Sequence, residues 1–183
     1  VKFDSIQKIE FGQIDSTNTF AKLHIEEFDQ SALTVIIAEK QTGGRGQFAR
    51  QWISPPGGLY VSYVYFIDRY PSNPGEIGQL ACRAVIELLG ELGITGVKKE
   101  PNDVLVNGKK IGGILCETIQ LHRGEVEASM KIGVIIGIGL NIALPEELLS
   151  SIDQPATSIL ACGCPISPGE AEQILRQKLI ALL

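Results

Sequence analysis

The 183-residue sequence has only four cysteines, two histidines and no excess of basic residues. Each shortage excludes a class of function. Cys82, Cys116, Cys162 and Cys164 lack the paired spacing of a zinc site, and His24 and His122 stand far apart, so a metal cluster is not expected. Cys82 and Cys116 fall inside apolar runs, which reads as reduced thiols in a cytoplasmic protein. The formal net charge of −5 argues against nucleic acid or an anionic membrane as a general partner. Any anion-binding site must therefore be local. No apolar run approaches the roughly 20 residues that cross a bilayer. The opening VKFDSIQKIEF also lacks the basic-then-apolar order of a secretory leader.

What is present is enough for a core: 44% of residues are hydrophobic, and the length suits one domain. No repeat or linker divides the chain, so residues 1–183 are read as a single unit. After a short first strand, DSTNTFAKLHIEEF opens with capping residues and sets Phe20, Leu23 and Phe28 on a helix face. Residues 32–39 and 58–66 read as buried strands, the second central in a sheet. A helical stripe follows at Ile77, Leu80, Ala81, Ala84, Leu88 and Leu92. Asn107-Gly108 between apolar alternations predicts a two-residue hairpin. EVEASMKIGVIIGIGLNIAL reads as another long strand, and Ser167, Pro168 and Glu170 form a capping box on a final helix. The sum is an α+β fold: a mixed or antiparallel central sheet with three or four helices packed on it.

Four stretches could carry chemistry. In EKQTGGRGQFARQW (39–52), glycines permit close backbone approach to a ligand, and Arg45 and Arg50 supply forks for phosphate or carboxylate. Trp52 would anchor that loop to the body. The phosphate-binding G-x-x-x-x-G-K-[ST] pattern is missing, and GIGLN is too short for a dinucleotide fingerprint. In KKEPNDVLVNGKKIGGILCE, a two-residue hairpin would set Asp103 and Lys110 near opposing positions. Gly112-Gly113 would leave room for something flat against the sheet. IDSTN offers a helix cap or a set of polar groups for a small head group, and Asn141 ends a glycine-containing strand.

In this order, DSTN, GGRGQFARQWISPPGGLYVS, KEPNDVLVNGKKIGGILCE, IGIGLN and ATSIL resemble the catalytic domain of biotin protein ligases, over residues 14–160. The resemblance implies a class II synthetase-like biotin/lipoate ligase fold. It implies activation of biotin by ATP, with Mg²⁺, to biotinyl-5′-adenylate, then transfer to a lysine. The acceptor would be the biotin carboxyl carrier protein or domain of an acetyl-CoA-carboxylase-type enzyme. Ser16, Thr17, Asn18, Gln41, Gly44, Arg45 and Gly113 would bind biotin; Arg45, Arg50, Trp52, Asn102, Lys110 and Asn141 would bind ATP or the adenylate. Lys110, Asp103 and Arg45 would be the catalytic set, with Asp103 positioning the acceptor lysine. The loop at 39–52 would close once ligands supply the anions its arginines lack.

Three positions depart from the family pattern: Gln47 stands for an arginine, Ala49 for a glycine, and Glu100 for a tryptophan. Gln47 is expected to hold the adenylate less well, and Lys98 or Lys99 to offset Glu100. Neither N-terminal DNA-binding helices nor the family's small C-terminal β domain is expected, hence no repressor role and no DNA partner; homodimerisation is left open. Two other readings stand beside this one: a lipoate- or octanoate-type ligase or transferase of the same superfamily, and a biotin- or nucleotide-binding module that transfers nothing.

Overall fold

The segment KIGVIIGIGLN shows how the fold is specified. Its even-numbered residues, Ile132 to Leu140, are all large and apolar, while the odd-numbered ones include Gly133, Gly137 and Gly139. In a strand, alternate residues face opposite sides, so one side must bury a core and the other is a trough. The computed structural model describes residues 1–71, 73, 75–121 and 131–183, without the Ala49 side chain. His122 and the 125–130 part of the expected long strand lie outside the described residues.

The elements are β1 (Ser5–Ile14), α1 (Thr17–Leu23), a 3-10 turn (Ile25–Glu27), β2 (Ala32–Gln41), β3 (Gly58–Ile67) and α2 (Glu76–Glu91), then β4 (Val97–Lys99), β5 (Asp103–Val106), β6 (Lys109–Leu121), β7 (Lys131–Asn141), α3 (Glu146–Ser151) and α4 (Pro168–Leu182). The strands form one sheet in the order β1-β2-β3-β7-β6-β5-β4. Only β1–β2 is parallel, with α1 in the crossover; the other neighbours are antiparallel. The sheet is therefore mixed, as expected, and the fold is α+β.

One face of the sheet carries the main core. Val35, Tyr63, Val134, Ile136 and Leu140 pack there with Val85 and Leu88 of α2 and with Leu175 and Leu179 of α4. The other face buries a smaller cluster around Ala21, Ile25, Val64, Phe66 and Ile135, and leaves the rest of the trough beside α1. The stripe on α2 is wider than expected. Leu80 and Leu92 are half-buried, while Cys82, Val85 and Leu89 are fully buried, because α2 is covered by both the sheet and α4.

The first helix departs from its expected face. It buries Thr17, Asn18 and Ala21, while Leu23 is 75% exposed and Phe28 lies beyond the helix end. Phe20 meets Phe11 edge-on at 4.9 Å. Polar residues can take the inner face because the sheet there offers hydrogen bonds rather than apolar surface.

The hairpin turn has Asn107 and Gly108 at φ 49° and 75°, the left-handed pair that its sequence predicts. The capping box on α4 is also present: Ser167 Oγ accepts from Glu170 N–H at 3.2 Å, and the Glu170 carboxylate accepts from Ser167 N–H at 2.9 Å. No helix among the described residues is long and apolar enough to cross a membrane.

Candidate functional site

The bare trough on β7 is filled by side chains from elsewhere. A Cβ added at Gly133 would lie 2.8 Å from Ile25, at Gly137 2.2 Å from Asn18 Oδ1, and at Gly139 2.5 Å from the Trp52 indole. Gly139 pairs in register with Gly113 of β6, where a Cβ would also meet the indole, at 2.9 Å. The indole therefore lies across a cross-strand glycine pair. Of the expected pair Gly112-Gly113, only Gly113 faces this flat group, while Gly112 lies against Leu140 and Val85. The indole Nε1 is buried without a hydrogen-bond partner among the described residues, and Lys110 Nζ stands 5.2 Å from the ring centroid, within cation–π range.

Beside the indole is a polar corner. Gln41 Oε1 accepts from the Thr17 N–H at 2.8 Å, and Gln41 Nε2 donates to Ser54 Oγ at 3.0 Å. Ser62 Oγ lies 2.8 Å from Thr17 Oγ1 and 2.5 Å from Asn18 Oδ1. Ser16 caps α1, its Oγ accepting from Thr19 N–H at 3.4 Å. Burying so many polar groups costs little only when they satisfy one another, and here they do.

The third wall is the β5–β6 hairpin. Lys110 Nζ lies 2.7 Å from Asp103 Oδ1, each side chain being 15% exposed. The two do not oppose each other in register: counted from the Asn107-Gly108 turn, Lys110 faces Leu105 and Asp103 would face Gly112. Lys110 does pair with Leu105, but Asp103 pairs with Gly113, because an irregularity at Val104/Leu105 leaves Ile111 unpaired. The ammonium and carboxylate meet as diagonal neighbours across the two strands. The Lys110 backbone is pinned from the far side: its N–H donates to Pro155 O at 2.8 Å, and its carbonyl accepts from Thr157 N–H at 2.9 Å.

The two asparagines expected to touch nucleotide also make bonds within the protein. Asn102 Nδ2 donates to Ile114 O at 2.5 Å. Asn141, also buried, donates from Nδ2 to Thr157 O at 2.9 Å.

The glycine-arginine loop holds more shape than its composition suggests. It folds back as a narrow hairpin: Gly46 N–H donates to Arg50 O at 2.8 Å, and Trp52 N–H to Gly44 O at 2.9 Å. Its tip carries Phe48, at φ 56° and 84% exposed. Arg45 and Arg50 are exposed, and among the described residues neither guanidinium has an ion-pair partner. Gly44 faces the protein body, where a Cβ would lie 2.5 Å from Ser54 Oγ. Glu100 is paired to Lys98 at 2.6 Å, which identifies the offsetting lysine.

These walls enclose a cavity of about 640 Å³. Ser16, Thr17, Asn18, Gln41, Arg45, Arg50, Trp52, Asn102, Asp103, Lys110, Gly113 and Asn141 all line it; Gly44 does not. The sequence reading missed Ser54, Ser62, Glu117 and Lys22, which hold the lining groups in place. Glu117 stood in the quoted GGILCE. The serines carried no signal beyond a polar residue on an otherwise apolar strand or just before a proline pair. Near Glu117, burial, followed by Cys82 and Glu117 itself, pushes the Cys116 thiol up to about 12, so it is a neutral thiol at pH 7.

A mixed sheet with α2 and α4 on one face and, on the other, a cavity beside α1 that joins free cations to a dense polar corner defines an α+β domain built for a ligand with anionic and polar ends. The sequence profile of the Biotin/lipoate A/B protein ligase family matches residues 10–141, and the chain belongs to that family. It is 37% identical over 129 residues to the bifunctional ligase/repressor BirA of Bacillus subtilis, covering 69% of this chain and 38% of that protein. It is 33% identical over 153 residues to the biotin–[acetyl-CoA-carboxylase] ligase of Mycobacterium tuberculosis, covering 78% of this chain and 52% of the relative. The chain thus spans about half the length of these relatives, or less. Its fold superposes on the biotin protein ligase from Aquifex aeolicus in complex with biotin and ATP, with a TM-score of 0.74 at 28% identity. That match covers 96% of this chain and 69% of the other.

Proposed function

We propose that the chain is the catalytic domain of a biotin protein ligase. It joins biotin to ATP as biotinyl-5′-adenylate and then passes biotin to a lysine of a carrier domain. The observation that carries this reading is the convergence of unpaired arginines, the Lys110–Asp103 pair and the Thr17–Asn18–Gln41 corner on one cavity. Similar proteins support it, since one neighbour holds biotin and ATP and a relative is named for acetyl-CoA carboxylase.

In the first step the biotin carboxylate attacks the α-phosphorus of ATP, and pyrophosphate leaves with the electron pair of the broken P–O bond. Two anions must meet, so fixed positive charge is required where their repulsion is greatest. Lys110, only 15% exposed, acts at higher effective strength than a solvated lysine. Arg45 and Arg50 supply the remainder from the loop. Mg²⁺ would travel on the triphosphate, since no group of three acidic, histidine or cysteine residues among the described ones forms a dedicated cage.

In the second step the acceptor amine attacks the anhydride carbonyl and AMP departs. Asp103, 2.7 Å from an ammonium already, has the right charge and reach to position a second one. Positioning the amine, rather than taking its proton, is the role assigned to Asp103.

The corner also discriminates between the two ligand classes of the family. Lipoate ends in a dithiolane ring with no N–H or carbonyl group, which would leave these amides unmatched, whereas the ureido ring of biotin matches them. The four free cysteines suit a reducing compartment, and the net charge of −5 disfavours nucleic acid as a partner. Biotin-dependent exchange of labelled pyrophosphate into ATP tests the proposal. Exchange by the chain that is lost in Lys110→Ala supports it; no exchange, or equal exchange with lipoate, refutes it.

A further inference from the structure

The Asn18 carboxamide is held from three sides. Its Nδ2 donates to Leu115 O at 3.2 Å and to Glu117 Oε2 at 2.9 Å. Its Oδ1 accepts from Ser62 Oγ at 2.5 Å. It lies on the bare backbone of Gly137, which pairs with Leu115 on one side and with Ser62 on the other. Glu117 is fixed in turn, because Lys22 Nζ, from the last turn of α1, binds its other oxygen at 2.7 Å.

An amide nitrogen has two hydrogens and an amide oxygen two lone pairs. Both Nδ2 hydrogens are spent inside the protein, so Asn18 has only the second lone pair of Oδ1 to offer a ligand. The reversed amide would set Oδ1 against the Leu115 carbonyl and the Glu117 carboxylate, three acceptors with no hydrogen between them. Leu115 alone weakly favours the observed orientation; the carboxylate makes the preference strong, since hydrogen bonds to charged groups are the stronger ones.

We propose that Lys22 and Glu117 are positioning residues that lock Asn18 as a hydrogen-bond acceptor, making this corner selective for a ligand ring that brings N–H donors. The selectivity rests on the biotin reading, whose ureido ring carries two such donors. The locked amide is a property of the free protein.

Two readouts separate the inference from that reading. The first needs no substrate: hydrogen exchange of the Asn18 side-chain N–H₂ in protein labelled with ¹⁵N at asparagine, assigned with Asn18→Asp. Protection is expected in the unaltered chain and at least about tenfold less in Glu117→Ala. The second is kinetic. Glu117→Ala should raise KM for biotin about tenfold or more, with kcat and KM for ATP within about threefold. Lys22→Met should raise it about threefold, and Glu117→Gln, whose carbonyl still accepts from Nδ2, should restore most of the affinity. Unchanged protection in Glu117→Ala overturns the inference, as does a KM for biotin that stays flat. A uniform fall of all constants in step with thermal stability, for both Glu117→Ala and Lys22→Met, also overturns it. Should the unaltered chain show no biotin-dependent exchange, the functional reading fails while the protection experiment still decides the lock.

Discussion

At the scale of single residues, absent side chains matter as much as present ones. Gly137 is where Asn18 touches the sheet, and Gly139 with its cross-strand partner Gly113 is where Trp52 does. Gly139→Ala would drive a methyl group into the ring at 2.5 Å. The expected result is displaced Trp52, seen as a red-shifted emission of the chain's single tryptophan, and a stability loss of about 1–3 kcal/mol in denaturant unfolding. Unchanged emission and stability would show that the indole is seated elsewhere. Gln47 is the second residue whose identity has a consequence. It lines the cavity at a position where the family pattern is expected to have an arginine, and a neutral group holds an anion less well than a charged one. Gln47→Arg should slow release of biotinyl-adenylate roughly fivefold, corresponding to about 1 kcal/mol; an equal or faster release rate would contradict this.

At the scale of elements, local rules were legible where a motif is self-contained and illegible where a partner decides. The Asn107-Gly108 turn and the α4 capping box follow from a few neighbouring residues, and both are present. The face of α1 does not follow from its own sequence. Thr17 and Asn18 turn inward because Gln41, Ser62 and Glu117, distant in the chain, complete their bonds. The Asp103–Lys110 encounter was foreseen, but the bulge at Ile111 beside it was not, since a bulge depends on the partner strand. The short edge strand β4 and helix α3 are too brief to leave a periodic signal.

The α4 cap makes a pH-dependent prediction. The hydroxyl and then the backbone N–H of Ser167 hold Glu170 below its ordinary value near 4.5. A depressed carboxyl stabilises the fold fully above the unfolded value and ceases to do so as pH falls through the lowered folded one. Ser167→Ala should therefore reduce Tm at pH 7 by about 2–4 °C. The deficit should shrink as pH falls through the lowered folded value and the carboxyl loses its charge; a constant deficit would mean that the carboxylate contributes nothing to the cap.

At the scale of the whole molecule, the sheet divides labour between its faces. One side buries the large residues of β3 and β7 under α2 and α4, which makes the platform rigid. The other side gives up part of its core to glycine and so gains a cavity whose walls come from α1, the arginine loop and the β5–β6 hairpin. The site residues were readable in sequence because each sits in a short motif. Their assembly was not, because the order β1-β2-β3-β7-β6-β5-β4 brings residues 18, 52, 110 and 139 together only through the sheet. The central claim is that fixed cations on opposite walls meet the anions of two substrates at a single point. A crystal structure with biotin and Mg·ATP, or with the adenylate they form, tests it most directly. The account predicts Lys110 Nζ and the Arg45 guanidinium within hydrogen-bonding distance of the carboxyl and phosphate oxygens, with the arginine loop drawn over them. Bound ligand with both cations turned to solvent would contradict it.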